Sequence, residues 1–318
     1  MVTRIGTFTN QQMILDATLR NQSRLGDTQL QVATGKKSQT FSGLSQDASR
    51  LTNLKNELAK AEQYVSNIDT VTKRLDLMEF GLEQIDGMAR EMRSLIRSNL
   101  NGDAATTVNL SALAQQFLDQ ITETMNLRDD SRYLFAGGKT DTKPVDLANG
   151  IYTAPAPPPF DATVDAGYYE GDTSIAEVRI DDSVVVQYGV LANESAFEKV
   201  IRALDHVAQT TFTNPVTAAE KQMMNDAVTL LTEAVEDNGT SKTIGELTGD
   251  VVLDLRLLDS QKEKHQEYMN FTSTSIGDIE NVNTAEAVTM LNFQQVQLQA
   301  SYELVARLGT LSLANYLR

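Results

Sequence analysis

The chain has 318 residues, of which 41% are hydrophobic and 22% charged, and its net charge is −16. This composition is typical of a globular protein, and the negative charge argues against nucleic acid or an anionic membrane as a partner. Cysteine is absent, which excludes disulfides, thiol nucleophiles and cysteine-ligated zinc. We find neither the apolar core of a Sec-type signal nor a run of about 20 apolar residues, and expect no such signal and no membrane span.

Residues 10–34 predict a first helix with a narrow apolar stripe that includes Leu15, Leu19 and Leu30. Polar residues interrupt the stripe, so the helix is expected to be only marginally stable in isolation. The segment 34–49 is rich in Gly, Ser and Lys and predicts a loop.

The strongest pattern lies between residues 51 and 96, where apolar residues recur every three or four positions, as in a coiled coil. At about 1.5 Å per residue this predicts a rod of roughly 70 Å, which needs partner helices to cover its stripe. We expect a second helix, from Asp103 to about residue 130, to fold back on it. The stripe comprises Leu51, Leu54, Leu58, Ala61, Val65, Ile68, Val71, Leu75, Met78, Leu82, Ile85, Ala89, Met92 and Ile96.

The composition changes in residues 136–194, which hold all but one of the six prolines. Short β-type runs, "AEVRI" and "SVVVQYGV", are separated by turn residues, which predicts a small β-rich insert. Helical patterns resume at 195–209 and 217–237.

A last helical stretch begins near residue 241 and continues to the end of the chain. Leu291, Leu298 and Val305 are spaced seven apart, and no charged residue occurs between Ala287 and Tyr302. An uncharged, marginally stable helix of this kind gains burial when copies of the chain surround it. We therefore predict that both ends of the chain complete their core with neighbouring subunits.

Few residues suggest catalysis, metal binding or cofactor binding. The two histidines, His206 and His265, lie in no metal-binding motif, and His265 is expected on an exposed helix face. The stretch "AGGKT" lacks the first glycine of a P-loop, because position 133 is Tyr133. We predict no catalytic, cofactor-binding or metal-binding residues, and consider an enzyme hidden in the insert improbable.

Four stretches carry a family resemblance in the right order. They are "LQVATGKKSQTFSGLSQDAS", "SRYLFAGGKTDTKPV", "YYEGD" followed by "VRIDDSVVVQYGVLANESAFEKVIRAL", and "LQASYELVARLGTLSLANYLR". Together they resemble the hook-associated proteins of the flagellin superfamily, specifically the hook–filament junction (FlgL-type) branch. Here "KPV" replaces the "PF" that follows the KT pair in that branch.

The resemblance implies a mainly α fold, in which the N- and C-terminal segments form a long antiparallel coiled-coil rod that carries a smaller β-rich inserted outer domain. Residues 1–42 and 281–318 would form a terminal coiled-coil assembly domain, disordered in the monomer. Residues 43–135 with 195–280 would form the helical rod domain, and 136–194 the inserted domain.

The implied function is that of a structural subunit, exported unfolded by the flagellar type III system and placed outside the cell at the hook–filament junction. Its implied partners are the first hook-associated protein, flagellin, neighbouring copies in a ring and an export chaperone, with no cofactor, nucleic acid or membrane. The predicted assembly interface comprises Leu15, Leu19, Leu30, Val288, Leu291, Leu298, Tyr302, Val305 and Leu308.

Two alternatives stay open. Flagellin itself resembles the chain only at the two ends, so a filament subunit is ranked lower. A cytoplasmic coiled-coil adaptor also has long heptads, but it does not need uncharged, marginally stable ends.

Overall fold

The computed structural model describes residues 2–44, 47–101, 110–154, 160–237 and 239–316. Its helices are α1 (Val2–Thr34), α2 (Ala48–Asn101), α3 (Leu110–Met125), α4 (Ser195–Gln209), α5 (Ala218–Val235), α6 (Ile244–Glu280) and α7 (Thr284–Tyr316), with a short 3-10 helix at Phe41–Leu44. Two antiparallel hairpins pair β1 (Arg128–Asp129) with β2 (Arg132–Tyr133), and β3 (Ala176–Arg179) with β4 (Val185–Tyr188). Within the described ranges, no helix has the length and apolarity needed to cross a bilayer.

The predicted mainly α fold with a smaller β-containing part is confirmed. The chain divides into a first unit, Met1–Lys60 with Glu267–Arg318, and a second unit, Ala61–Gln266. Both boundaries fall inside helices, in α2 and α6. The three-domain division drawn from the sequence stays a prediction.

The second unit has a conventional hydrophobic core. The predicted stripe of α2 is buried from Ile68 to Ile96 and packs with apolar side chains of α3, α4, α5 and the start of α6. The α4 helix contacts both α3 and α5, and it buries more residues than a one-sided surface helix does. The heptad pattern therefore located this core correctly.

Several local predictions differ from the structure. The first helix begins at Val2 rather than residue 10. Residues 2–10 contain no proline that would interrupt the helix. The helix α3 ends at Met125, before 130, because Arg128–Asp129 pairs with Arg132–Tyr133 in a hairpin whose turn residues, Asp130 and Ser131, have positive φ angles. Its predicted start at Asp103 lies outside the described residues. The insert is mainly loops and turns, since each strand of its hairpin has only four residues.

Two further differences concern the last helical stretch. It is two helices, because the Asn283 side chain accepts hydrogen bonds from the backbone N–H groups of Ala285 (3.1 Å) and Glu286 (3.3 Å) and so caps a new helix. His265 is half-buried rather than exposed, because its Nε2 lies 2.7 Å from the carbonyl oxygen of Ile180 and its ring stacks near Tyr64.

Two of the stretches quoted above meet in the second unit. The Asp172 carboxylate accepts the N–H of Gly138 at 2.6 Å, and the Asp172 N–H donates to the Ala136 carbonyl at 3.1 Å. Gly137 lies between them at φ +67°, and a Cβ there would come within 2.9 Å of three oxygens of Asp172 and Ser174. Both the backbone angle and the lack of space therefore require glycine.

The turns at the end of α1 and the start of α7 are bonded to each other in the first unit. Gly35, at φ +70°, ends α1, and its carbonyl accepts the N–H of Val282 at 2.9 Å. The Lys37 N–H donates to the Glu280 carbonyl at 2.7 Å. These bonds bring the end of one terminal helix beside the start of the other.

The Glu280 carboxylate adds an ionic bond to this junction. It pairs with Lys55 on α2 and, at 3.3 Å, with Lys36 in the turn. The hydrogen bond from Lys55 is the main cause that lowers the pKa of Glu280, and Lys36 acts in the same direction. The carboxylate therefore favours its charged form in the folded chain.

Gly137→Ala is expected to lower the free energy of unfolding by about 3 kcal/mol, because backbone strain at positive φ and the clash with Asp172 add together. Gly150→Ala is the matched control, since Gly150 also has a positive φ, +78°, but has nothing within 4 Å of its would-be Cβ. It should cost only about 1 kcal/mol. Urea unfolding measures both, and equal losses would contradict the packing argument.

Glu280→Gln should weaken the junction and remove part of its pH dependence. Since the folded pKa of Glu280 is lowered, its ion pairs stabilise fully above the ordinary value of 4.5 and are lost as pH falls through the lower folded value. We expect amide-exchange protection at Lys37 and Val282 to fall about two- to fivefold in the variant at pH 7, as is typical of partly exposed ion pairs.

The comparison runs from pH 7 to pH 3, with protection corrected for the intrinsic exchange rate at each pH. Glu286→Gln, an exposed carboxylate in the first turn of α7, is the control and should leave both amides as they are. Identical pH profiles for wild type and Glu280→Gln would contradict the ionic role.

Candidate assembly surface

The helices α1 and α7 pack against each other in the first unit. They run antiparallel, since the end of α1 is bonded to the start of α7. Buried and half-buried residues recur every three or four positions on each helix and define the contact, here called the seam. It comprises Ile14, Thr18, Asn21, Leu25, Thr28 and Val32 of α1, with Ala287, Leu291, Gln294, Leu298 and Ser301 of α7.

Half of the seam is small or polar. Thr18 and Thr28 are 5% and 6% exposed, and their hydroxyls donate to the carbonyls of Ile14 (2.8 Å) and Arg24 (2.9 Å) in their own helix. Among the described residues, the buried Oε1 of Gln294 has no hydrogen-bond partner. The seam therefore buries little apolar surface, and pairing of the two helices gains correspondingly little from the hydrophobic effect.

Eleven large apolar side chains of the same two helices face outward, more than the five apolar side chains that lie half-buried in the seam. Each of the eleven is between 36% and 68% exposed, which is unusual for a soluble helix pair, where such residues normally face the partner helix. A continuous exposed apolar surface typically marks an interaction site. The set comprises Met13, Leu15, Leu19 and Leu30 of α1, and Val288, Met290, Phe293, Val296, Tyr302, Leu304 and Val305 of α7.

The nine residues predicted as the assembly interface fall into three groups. Six are exposed on the outer faces: Leu15, Leu19, Leu30, Val288, Tyr302 and Val305. Leu291 and Leu298 are half-buried in the seam. The side chain of Leu308 lies outside the described residues.

The sequence reasoning missed five outward residues: Met13, Met290, Phe293, Val296 and Leu304. It followed the seven-residue spacing of Leu291 and Leu298, which marks the seam, and so neglected apolar residues off that spacing. The uncharged run from Ala287 to Tyr302 could have pointed to these residues. A helix that faces solvent on one side normally carries charges there, and this segment carries none on any side, so its apolar residues off the seam were also candidates for an interface.

A polar cavity of about 220 Å³ in the second unit is lined by residues within 152–153 and 161–165 together with Glu198 and Arg202 of α4. Glu198 and Arg202 form an ion pair at 2.9 Å, and burial raises the pKa of Glu198 despite that partner. Beside it, the His206 ring stacks on Phe160, and burial lowers the pKa of His206.

These polar groups bond mainly to one another and to the loop backbone. Glu198 Oε1 accepts the N–H of Asp165 at 3.3 Å, and Arg202 donates to the Ala162 carbonyl at 2.7 Å. The arrangement therefore fixes the loop on α4. In the described parts of the chain, no group of three His, Cys, Asp or Glu side chains could hold a metal ion.

Residues 5–140 match the family model of the bacterial flagellin N-terminal helical region. No curated protein matches the chain with significant sequence similarity. Among solved structures, a Vibrio parahaemolyticus protein described as a flagellar hook-associated protein superposes with a TM-score of 0.51 at 19% identity, over 73% of this chain and 97% of that one. This likeness establishes a shared fold.

Two further solved structures are similar at a lower level. Bacillus cereus FlgL has a TM-score of 0.47 at 15% identity, over 73% of this chain and 99% of its own. Flagellar hook-associated protein 3 of Legionella pneumophila has a TM-score of 0.47 at 11% identity, over 77% and 99%. The match of residues 5–140 agrees with the resemblance to the flagellin superfamily found in the sequence, and the Vibrio parahaemolyticus structure shares the fold of this chain.

Proposed function

We propose that the chain is a subunit of the hook–filament junction, where it joins the first hook-associated protein to the flagellin filament. The observation that carries this proposal is the outward apolar surface of α1 and α7. Neighbouring subunits would cover it, at about 25 cal/mol per Å² of apolar area removed from water. Uncharged side chains suit such a contact, since a charge buried between subunits would lose its hydration.

The weak seam supports the second part of the proposal, that in the free monomer residues 1–42 and 281–318 exchange between the helix pair described above and a disordered form. A helix pair that buries threonine, asparagine and glutamine gains little from pairing, whereas ordering each residue costs conformational entropy. The terminal helices would then become fully ordered only when other subunits cover their outer faces. A chain whose ends are disordered is also suited to export through the type III channel, with an export chaperone on the C-terminal helix.

The insert favours the junction over the filament. The stretches "AGGKT" and "YYEGD" resemble the junction branch and not flagellin, and they form one bonded structure through Asp172 and Gly138. We therefore place the protein outside the cell, as a ring of copies between the first hook-associated protein and flagellin. Gold labelling of a tagged chain on isolated flagella tests this, because a filament subunit would label the whole length and a junction subunit only its base.

Leu15→Asp and Val305→Asp should each block incorporation into flagella while leaving the thermal unfolding of the second unit unchanged. Both side chains are exposed, so a carboxylate there costs the monomer little but would be desolvated against a neighbour. We expect at least a tenfold fall in the protein recovered with sheared flagella, relative to the amount exported. Leu298→Asp would not separate the two effects, because Leu298 lies in the seam and a carboxylate there would also weaken the contact between α1 and α7.

Ile151→Asp is the matched control, since Ile151 is 69% exposed but lies in the insert. It should assemble like the wild type. Normal incorporation of both Leu15→Asp and Val305→Asp would overturn the proposed interface.

A further inference from the structure

A glycine in the middle of α1 has no explanation within the chain. Gly26 is exposed and helical, and a Cβ placed on it meets nothing within 4 Å. Glycine weakens a helix, because its backbone loses more freedom on folding than that of alanine. Among the described residues of the first unit, no close packing or turn offsets this loss, so an alanine here would fit the monomer better.

The position of Gly26 on the helix is informative. At about 100° per residue, Leu15, Leu19, Gly26 and Leu30 lie within about 60° of one another, on one face of α1. This leucine face is turned by about 130° from the seam, and its three leucines are about half exposed. Gly26 therefore leaves a gap between Leu19 and Leu30 in a row of exposed leucines.

Between Gln12 and Ala33, the charged residues lie on other faces of α1. Asp16, Arg20 and Asp27 project from a neighbouring face, whereas the leucine face itself carries only Gln, Leu, Gly and Ala from Gln12 to Ala33. A partner for this face must be uncharged over the span from Leu15 to Leu30, about 23 Å, or its charges would be desolvated without compensation.

We propose that the gap at Gly26 receives an apolar side chain from α7 of a second copy of this chain. The inference rests on the proposed function and adds the docking geometry. The uncharged part of α7, from Ala287 to Tyr302, has a matching length of about 23 Å and presents Phe293 and Val296 at 63% and 68% exposure. The molecule's own α7 is occupied on the seam, so the inserted side chain comes from another copy.

The proposal predicts effects of opposite sign on the monomer and on assembly. Gly26→Ala should raise the ratio of folded to unfolded α1 about two- to fivefold, measured by amide exchange in the purified full chain. The same change should lower incorporation into flagella about tenfold, and Gly26→Leu should abolish it. The reason is that each added carbon occupies space taken by the inserted side chain.

Gly249→Ala is the matched control, because Gly249 is also exposed, helical and open, but lies in α6 of the second unit. It should stabilise its helix to the same degree and leave incorporation unchanged. Incorporation of Gly26→Ala and Gly26→Leu at the wild-type level overturns the proposal. If those two assemble while Leu15→Asp does not, only this inference fails; if Leu15→Asp and Val305→Asp also assemble, the proposed interface fails with it.

Cross-linking identifies the occupant, because the chain has no cysteine of its own. Cells that express Gly26→Cys together with Met290→Cys, Phe293→Cys or Val296→Cys in a second, differently tagged copy are oxidised after assembly. A disulfide requires Cβ atoms about 3.5 to 4.5 Å apart. A dimer carrying both tags with one of the three positions supports the proposal, whereas no dimer, or a cross-link to a protein of another size, overturns it.

Discussion

The contact between α1 and α7 is the constraint on which the other features of the first unit depend. Its seam places threonine, asparagine, glutamine and serine between the two helices beside five half-buried apolar residues, and it leaves eleven large apolar side chains outside. Since hydrophobic stabilisation scales with the apolar area removed from water, this arrangement gives the isolated pair little stability. Under the proposed function, the exposed apolar residues would be covered by neighbouring subunits, which would stabilise both helices.

In the second unit, the large apolar side chains lie mainly inside. The α2 stripe is buried from Ile68 to Ile96 by apolar side chains of the same unit, and polar groups such as the Glu198–Arg202 pair bond within that unit. One part of the protein thus has a self-contained core, whereas the other has its apolar surface outside. If the chain is the junction subunit proposed above, one part would stay folded while its terminal helices change partners during assembly.

The junction of Gly35, Glu280 and Val282 explains how two chain ends far apart in sequence can act together. Backbone hydrogen bonds join the end of α1 to the start of α7, and the Glu280 carboxylate adds ion pairs from Lys36 and Lys55. Because both helices leave from one bonded turn, a contact made by either helix also positions the other. Asn283 defines where α7 begins by capping its first N–H groups.

The sequence by itself determined the elements with strong periodicity or distinctive motifs. The heptads of α2 identified the core of the second unit, since the spacing of apolar residues on a helix fixes which ones share a face. The helix at Ser195–Gln209 and the family resemblance were also readable, as were the exposed leucines of α1, which interrupt an otherwise polar pattern.

Tertiary structure decided what depends on contacts between distant residues. The seven-residue spacing of Leu291 and Leu298 predicts a stripe, but only the position of α1 shows that this stripe faces the seam and that Phe293 and Val296 face outward. Likewise, His265 is half-buried because Ile180 and Tyr64 lie beside it. Periodicity records that a face is apolar, whereas the surface that covers it is a property of the whole fold, which is also why the open space at Gly26 could not be seen in the sequence.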